Sequence, residues 1–392
     1  MKLKINTYFQ KMWKWIFYPE KIFRNPRRSE ILIFDAEGEE LLLEYVGKWS
    51  TEVLHLRSEK LNIPVLIRSM LRKGSFFKNY INEYIATVSP KVVITFIDNN
   101  PLFYYLKKTN DFTKFIAIQN GKRDSLLFDK LSELNSPECF ATIDYLFCFG
   151  RGVSSEYSKQ IHAQVIPIGS LKNNYVNPIS SDKKSIVFIS EYAANEGADL
   201  VLGDQVYSYE LLWKKPDRIV LHYLIKYCEE RNIVLRIALR SKTYNEKLYF
   251  KSLISTSNVK VEMVEPSGVY GSYALCDTAN VVVTIESTLG YEAAARGNKT
   301  AFFTLRGTFS GRSDRTFSWP GALQAEGPFW THLPESLAFE RILDHLFAIS
   351  DEEWKVELKK YAFEDIMTYD YDNATLKSVL RKELSESSML HQ

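Results

Sequence analysis

Residues 281–305 leave few folds open to this chain. Residues 281–285 are a short β-branched run, as a parallel strand buried on both faces requires. Ser287 and Thr288 stand where a helix would begin, and either hydroxyl can cap it. Gly297 stands where that helix would stop, and 300–305 is apolar again. Strand, turn, helix, strand is the repeating unit of a parallel sheet. A helix that starts at the carboxyl end of such a strand presents free N–H groups and the positive end of its dipole, which suits phosphate. Glu292 lies four residues after Thr288, on the same helix face one turn deeper, where a carboxylate suits ribose hydroxyls. A capped helix in any α/β protein has the same spacing, so the two readings stand side by side.

The alternation runs through the whole chain. Strands are expected at 30–34, 53–56, 92–97, 115–118, 144–149 and 165–168, with helices at 76–86 and 154–160. A second set falls at 185–189, 234–239, 259–264, 281–285 and 300–305, with helices at 216–230 and 244–254. Residues 61–70 are mixed, Pro101 opens a helix, 193–215 is a long loop, and 306–328 lacks periodicity. A chain of 392 residues exceeds one ordinary core. The expected fold is therefore α/β: two Rossmann-like doubly wound domains facing each other across a cleft. The expected boundaries are an arm at 1–28, a first domain at 29–170, a second at 185–350, and helices at 351–392 that pack back across the boundary.

The net charge of +2 gives no case for nucleic acid as a partner. Four scattered cysteines without a CxxC pair suit a reduced, cytoplasmic protein, and no apolar run reaches membrane-spanning length. Residues 1–28 depart from this balance. They carry eight basic residues against one acid, Glu20, with aromatics between them. One reading is a helix lying on an anionic membrane surface, at the cytoplasmic face. The other is an arm that packs its aromatics on the protein's own second domain or on another subunit. Charge density and aromatic content favour the membrane.

In open α/β sheets ligands bind beyond the carboxyl ends of the strands. The candidates there are Asp35, Glu37, Asp98, Asn99, Gln119, Asn120 and Arg123 in the first half. In the second they are Ser190, Glu191, Arg240, Lys242, Glu265, Ser287, Thr288 and Glu292. Arg240 and Lys242 fit phosphate charge, or a solvated loop. Asp98 can be a catalytic acid or a turn acid before Pro101, and Asn120-Gly121 can be a tight turn. The six histidines show no metal-ligand spacing, and neither a GxxxxGK[ST] loop nor a GxGxxG after a first strand occurs. No metal and no cofactor is expected.

Ser287 to Ala293, Ile97 to Asn100, Ile118 to Gly121 and Ile168 to Asn174 together resemble bacterial surface-carbohydrate biosynthesis transferases of the GT-B type. A more distant similarity is to capsule and O-antigen Kdo transferases and bacterial sialyltransferases, which use CMP-activated 2-keto acid sugars. The resemblance implies glycosyl transfer from a nucleotide sugar, CMP-linked by preference, to a glycan or glycolipid acceptor. The first domain would take the acceptor and the second the donor. Ser287-Thr288 matches the relatives' phosphate-binding pair. Two departures stand out. Arg240-Ser241 replaces a His-Pro pair, and Gln119-Asn120-Gly121 replaces the acidic pair that carries the catalytic carboxylate. An amide cannot act as a base, so Asp98 is expected to take that role, with Asp124 or Glu37 next. Donor binding is expected from Ser190, Glu191, Arg240, Lys242, Glu265, Ser287, Thr288 and Glu292. Acceptor contacts are expected from Asn99, Gln119, Asn120 and Arg123. Other readings are a sugar-nucleotide epimerase, a polyol-phosphate transferase, or a non-catalytic nucleotide- or glycan-binding partner.

Overall fold

The computed structural model describes residues 18–176, 185–192, 199–202, 205–254 and 259–386. Two six-stranded, wholly parallel sheets organise the chain. The first contains β1 (Ile31–Phe34), β2 (Thr51–Leu54), β3 (Val92–Thr95), β4 (Lys114–Ile118), β5 (Thr142–Cys148) and β6 (His162–Pro167), in the order β2-β1-β3-β4-β5-β6. The second contains β7 (Ser185–Ile189), β8 (Val234–Ala238), β9 (Val261–Val264), β10 (Val281–Thr284), β11 (Thr300–Phe303) and β12 (Trp330–Thr331), in the order β9-β8-β7-β10-β11-β12. Central strands such as β1 and β10 are buried at every residue. That is why they read as unbroken apolar runs and not as alternations.

The second sheet has the strand order 3-2-1-4-5-6 when counted within itself. The order reverses between β7 and β10, and such a reversal opens a crevice at the carboxyl ends of the two strands. Helix α1 (Thr288–Ala295) leaves β10 there. It lies so close to its strand that a Cβ on Gly290 would fall 2.3 Å from the Thr284 side chain. Any larger residue at 290 would push the helix N-terminus out of place. Gly297, at φ +99°, ends the helix in the left-handed region that glycine tolerates.

The closing helix, α2 (Ala374–Glu386), packs on the first sheet and not on the second. Leu376, Leu380 and Leu384 fall at four-residue spacing and join Ile31, Val92 and Ile116 in one core. Each such burial contributes about 1.5–3 kcal/mol. Tyr145 OH donates to Glu383 at 2.5 Å at the far end of the helix.

Several expectations are corrected. Residues 193–215 are not one open loop. Leu200–Leu202 and Gln205–Tyr207 pair antiparallel, and a helical turn at Glu210–Lys214 runs straight into the helix Lys215–Arg231. The mixed region resolves into a short strand, Lys60–Asn62, and a helix, Ile63–Met70, capped by Asn62 Oδ1 accepting from the Val65 N–H. Pro101 opens only a 3-10 turn, Pro101–Tyr105. Of the basic arm, 1–17 lies outside the described residues. The remainder docks on the first sheet's lobe, where Glu20–Ile22 pairs in parallel with Lys60–Asn62. Among the described residues no helix is long and apolar enough to cross a membrane.

Candidate active site

Sheet register assembles the site. β7 and β10 pair Phe188 with Val283, so three residues further on Glu191 stands beside Glu286. The Glu286 N–H donates to Glu191 Oε1 at 2.5 Å. In the first sheet Thr95 pairs with Ala117, which places Asp98 beside Asn120. The Asn120 N–H donates to Asp98 Oδ1 at 3.1 Å. The two strand-end clusters meet across a cavity of about 600 Å3.

Glu286 is the hub. Its carboxylate is almost fully buried and meets Lys122 Nζ at 3.4 Å, Arg306 Nη1 at 3.5 Å and Arg315 Nη1 at 3.2 Å. Burial alone would raise this carboxyl. Lys122, Arg315 and Arg306 together overcome that and hold it below its ordinary value. Arg306 also ion-pairs with Glu191 and donates from Nε to the Leu212 carbonyl at 2.9 Å. Its Nη2 is buried and has no partner among the described residues. Arg315 reaches Asp124 at 2.9 Å. Lys122 belongs to the first lobe, yet its ammonium also donates to Tyr291 OH at 3.1 Å and to the Thr316 carbonyl at 3.2 Å.

Among the described residues six cations line the cavity: Lys122, Arg123, Lys130, Arg240, Arg306 and Arg315. Three carboxylates face them: Asp124, Glu191 and Glu286. One of these cations, Arg123, is held by a buried carboxylate behind the wall, and the remaining excess of two positive charges favours an anionic ligand such as a phosphate ester. Ser287 and Thr288 lie on the same wall at the start of α1, where no side chain caps the helix. The expected hydroxyl cap is therefore absent, and the dipole end stays available to an anion. Arg240 is positioned by Glu246, a fully buried carboxylate that accepts from the Arg240 and Ser241 N–H groups, both at 2.8 Å, and from Ser190 Oγ at 2.6 Å.

Of the residues expected from the sequence, Asn99, Arg123, Asp124, Ser190, Glu191, Arg240, Ser287 and Thr288 come together around the cavity. The others do not line it. Asp98 is fully buried. Its Oδ2 accepts from Arg123 Nε at 2.6 Å and from Tyr157 OH at 2.5 Å, while Oδ1 accepts from Asn120 and Arg123. With both oxygens occupied, Asp98 anchors Arg123 and is not open to an acceptor hydroxyl. Gln119 is also structural: Nε2 donates to the Gly121 carbonyl and Oε1 accepts from the Phe149 N–H, each at 2.9 Å. Asn120 serves the same turn through Arg123. Glu37 is exposed and pairs with Arg57 at 3.4 Å. Lys242 is exposed, and Glu265 pairs with Lys247.

Glu292 is buried away from the cavity, so it does not reach a ribose there. It accepts from Ser170 and from Tyr273 OH at 3.0 Å, tying α1 to the segment that leaves β6. Burial raises its carboxyl, and the bonds from Ser170 and Tyr273 offset only part of that. The sequence reading missed Lys122, Glu286, Arg306 and Arg315. Lys122 lay one residue from a named candidate, and Glu286 directly before one. Among the described residues no group of three or more His, Cys, Asp or Glu side chains is placed to hold a metal ion.

Residues 116–384 match a family model described as "putative O-antigen biosynthesis protein". The chain belongs to that family. It therefore has a role in O-antigen biosynthesis. No curated protein matches this O-antigen protein. Its fold is shared with the "putative UDP-N-acetylglucosamine 2-epimerase" of Listeria monocytogenes, at TM-score 0.53 and 11% identity, over 91% of this chain and 96% of that one. Two further likenesses are an S. aureus MnaA structure with UDP and the wall teichoic acid polymerase TagF with CDPG. The first has TM-score 0.48 and 12% identity, over 95% of this chain and 97% of that one. The second has 0.49 and 13%, over 91% and 89%. This is the GT-B-like arrangement.

Proposed function

We propose that this O-antigen biosynthesis protein is a glycosyltransferase. Its donor is a nucleotide-activated sugar, CMP-linked as the sequence resemblance implies, and its acceptor is a glycan or glycolipid. The observation that carries this reading is the cationic cavity at the strand-order reversal, beside the uncapped start of α1.

The chemistry follows from what is held there. As the donor's glycosidic bond breaks, negative charge grows on the leaving phosphate. Arg306, Arg315 and Lys122 already sit in fixed positions on carboxylates, so they meet that charge with little reorganisation. Ser287 and Thr288 hold the phosphate through hydroxyls and the helix end. An acceptor hydroxyl must lose its proton. Asp124 is the carboxylate on the first lobe's side of the cavity, and it takes the base role that Asp98 cannot.

A thermal-shift screen of CMP, CDP, UDP and GDP tests the site, because a ligand that binds only the folded state raises its melting temperature. CMP is expected to give the largest shift. No shift with any of the four overturns the reading. One observation favours a second reading, a binding partner without turnover: all three cavity carboxylates are already held by cations or by a backbone N–H. Donor hydrolysis by the purified protein, lost in Asp124→Asn with nucleotide binding retained, decides for the enzyme. Tight binding with no turnover of any donor decides for the partner.

A further inference from the structure

A surface outside the cleft is both apolar and basic. The helix Ile63–Met70 buries Val65 and Ser69 against the first lobe, and Ile63 and Leu66 pack on the same core. Its other side is apolar too. Ile67, Met70 and the following Leu71 recur at helical spacing and are 58%, 67% and 84% exposed. A helix that is apolar on both sides belongs inside a protein or against lipid. The docked segment runs beside it: Asn62 Nδ2 donates to the Arg24 carbonyl at 2.8 Å, and Arg68 donates to Asn25 Oδ1 at 2.9 Å. Phe23, on that segment, is 76% exposed.

The charge on these segments is mostly positive. Residues 63–79 contain Arg68, Arg72, Lys73 and Lys78 and no carboxylate, and residues 18–28 contain a single carboxylate, Glu20. Glu83 ion-pairs with both Arg68 and Arg72, so one of these two positive charges is left uncompensated. Arg24, Arg27, Arg28 and Lys73 have no carboxylate partner among the described residues. We propose that this face, the exposed side of residues 63–73 with Phe23 and its neighbouring arginines, docks on an anionic bilayer surface. Ile67, Met70, Leu71 and Phe23 enter the boundary between headgroups and acyl chains. The free arginines and Lys73 meet lipid phosphates. Charge complementarity argues for lipid over a protein groove, and the sequence of residues 1–17 continues the same basic, aromatic character. The proposal extends membrane contact from the arm to the folded lobe and does not depend on which donor the cleft takes.

Sedimentation of the full chain with vesicles tests it. Wild type is expected to bind an equal mixture of phosphatidylcholine and phosphatidylglycerol, to release in high salt, and to bind pure phosphatidylcholine weakly. Ile67→Ser with Met70→Ser and Leu71→Ser, and separately Arg24→Glu with Arg27→Glu and Lys73→Glu, should each lower partitioning by about tenfold or more. Both should keep the wild-type circular dichroism melt. If both bind like wild type while Trp13→Ser with Trp15→Ser abolishes binding, the arm acts alone and the proposal fails. It fails equally if no vesicle binds and the apolar triple variant turns a dimer into a monomer, since the face is then a protein interface.

Discussion

Lys122 of the first lobe donates its backbone N–H to Thr288 Oγ1 of the second lobe at 3.1 Å. The acceptor is the same hydroxyl that stands at the start of α1. A hydroxyl accepts and donates at once, so Thr288 can receive from Lys122 and still give its own proton to a phosphate. The contact between the lobes and the proposed anion binding therefore share one oxygen. Thr288→Val keeps the shape but leaves the Lys122 N–H without its partner. A loss of about 1–3 kcal/mol is expected in urea denaturation, with weaker nucleotide binding in calorimetry, and Thr288→Ser should restore both. A valine variant matching wild type in both measurements would show that neither lobe contact nor ligand uses this oxygen.

Arg306 and Arg315 both touch Glu286, yet they should fail differently. Arg306 is buried and carries two carboxylates, Glu191 and Glu286. Arg306→Gln leaves Glu191 without a cation and takes one of three from Glu286, and should cost about 3–5 kcal/mol of stability. Arg315 is about a quarter exposed at its side chain. Arg315→Gln should therefore cost about 1 kcal/mol or less, while still weakening nucleotide binding through the lost cavity charge. Denaturation and titration calorimetry on the same samples separate the two effects. Unchanged affinity in Arg315→Gln would move the phosphate seat elsewhere.

Asp98 is the sharpest contrast between position and role. As a base it would give a stable but inactive asparagine variant. As the anchor of Arg123, Tyr157 and the Asn120 turn, its loss should unfold the site instead. Asp98→Ala is expected to lose about 3–5 kcal/mol, with a lowered melting temperature and weakened nucleotide binding together. Wild-type stability with turnover abolished would return Asp98 to the chemistry.

That contrast marks how far the sequence carries. Strands such as β3 and β10 were legible because a strand buried on both faces needs an unbroken apolar run, and few other elements do. Strand ends were legible for the same reason, and of the residues read there Ser190, Glu191, Arg240, Ser287 and Thr288 line the cavity. Which strand-end acids face the cavity was not legible. Asp98 is claimed by Tyr157, 59 residues on, and Glu292 by Ser170, 122 residues back. Partners so distant leave no local pattern. Glu286 and Lys122 come from different lobes, and Arg306 and Arg315 from a stretch without periodicity, so their cluster exists only once both sheets are folded.

Asp217 gives the protein a predictable response to pH. It lies in the first turn of the helix Lys215–Arg231, almost fully buried, with Oδ1 unpaired among the described residues and Oδ2 accepting from Tyr249 OH at 3.4 Å. Burial pushes its carboxyl up to about 7, although Arg306 pulls the other way. The folded state thus holds this proton more tightly than the unfolded chain, whose carboxyl titrates near 4. Below about pH 4 both states are protonated and the group makes no difference. Between there and about 7 each rise in pH removes stability, and above about 7 the loss is complete. Asp217→Asn keeps the shape without the titration. Its stability relative to wild type should climb across that interval, by on the order of 4 kcal/mol at most, in denaturation series run at pH 4, 5.5, 7 and 8. A difference that stays flat would mean that Arg306 keeps the carboxylate ionised throughout.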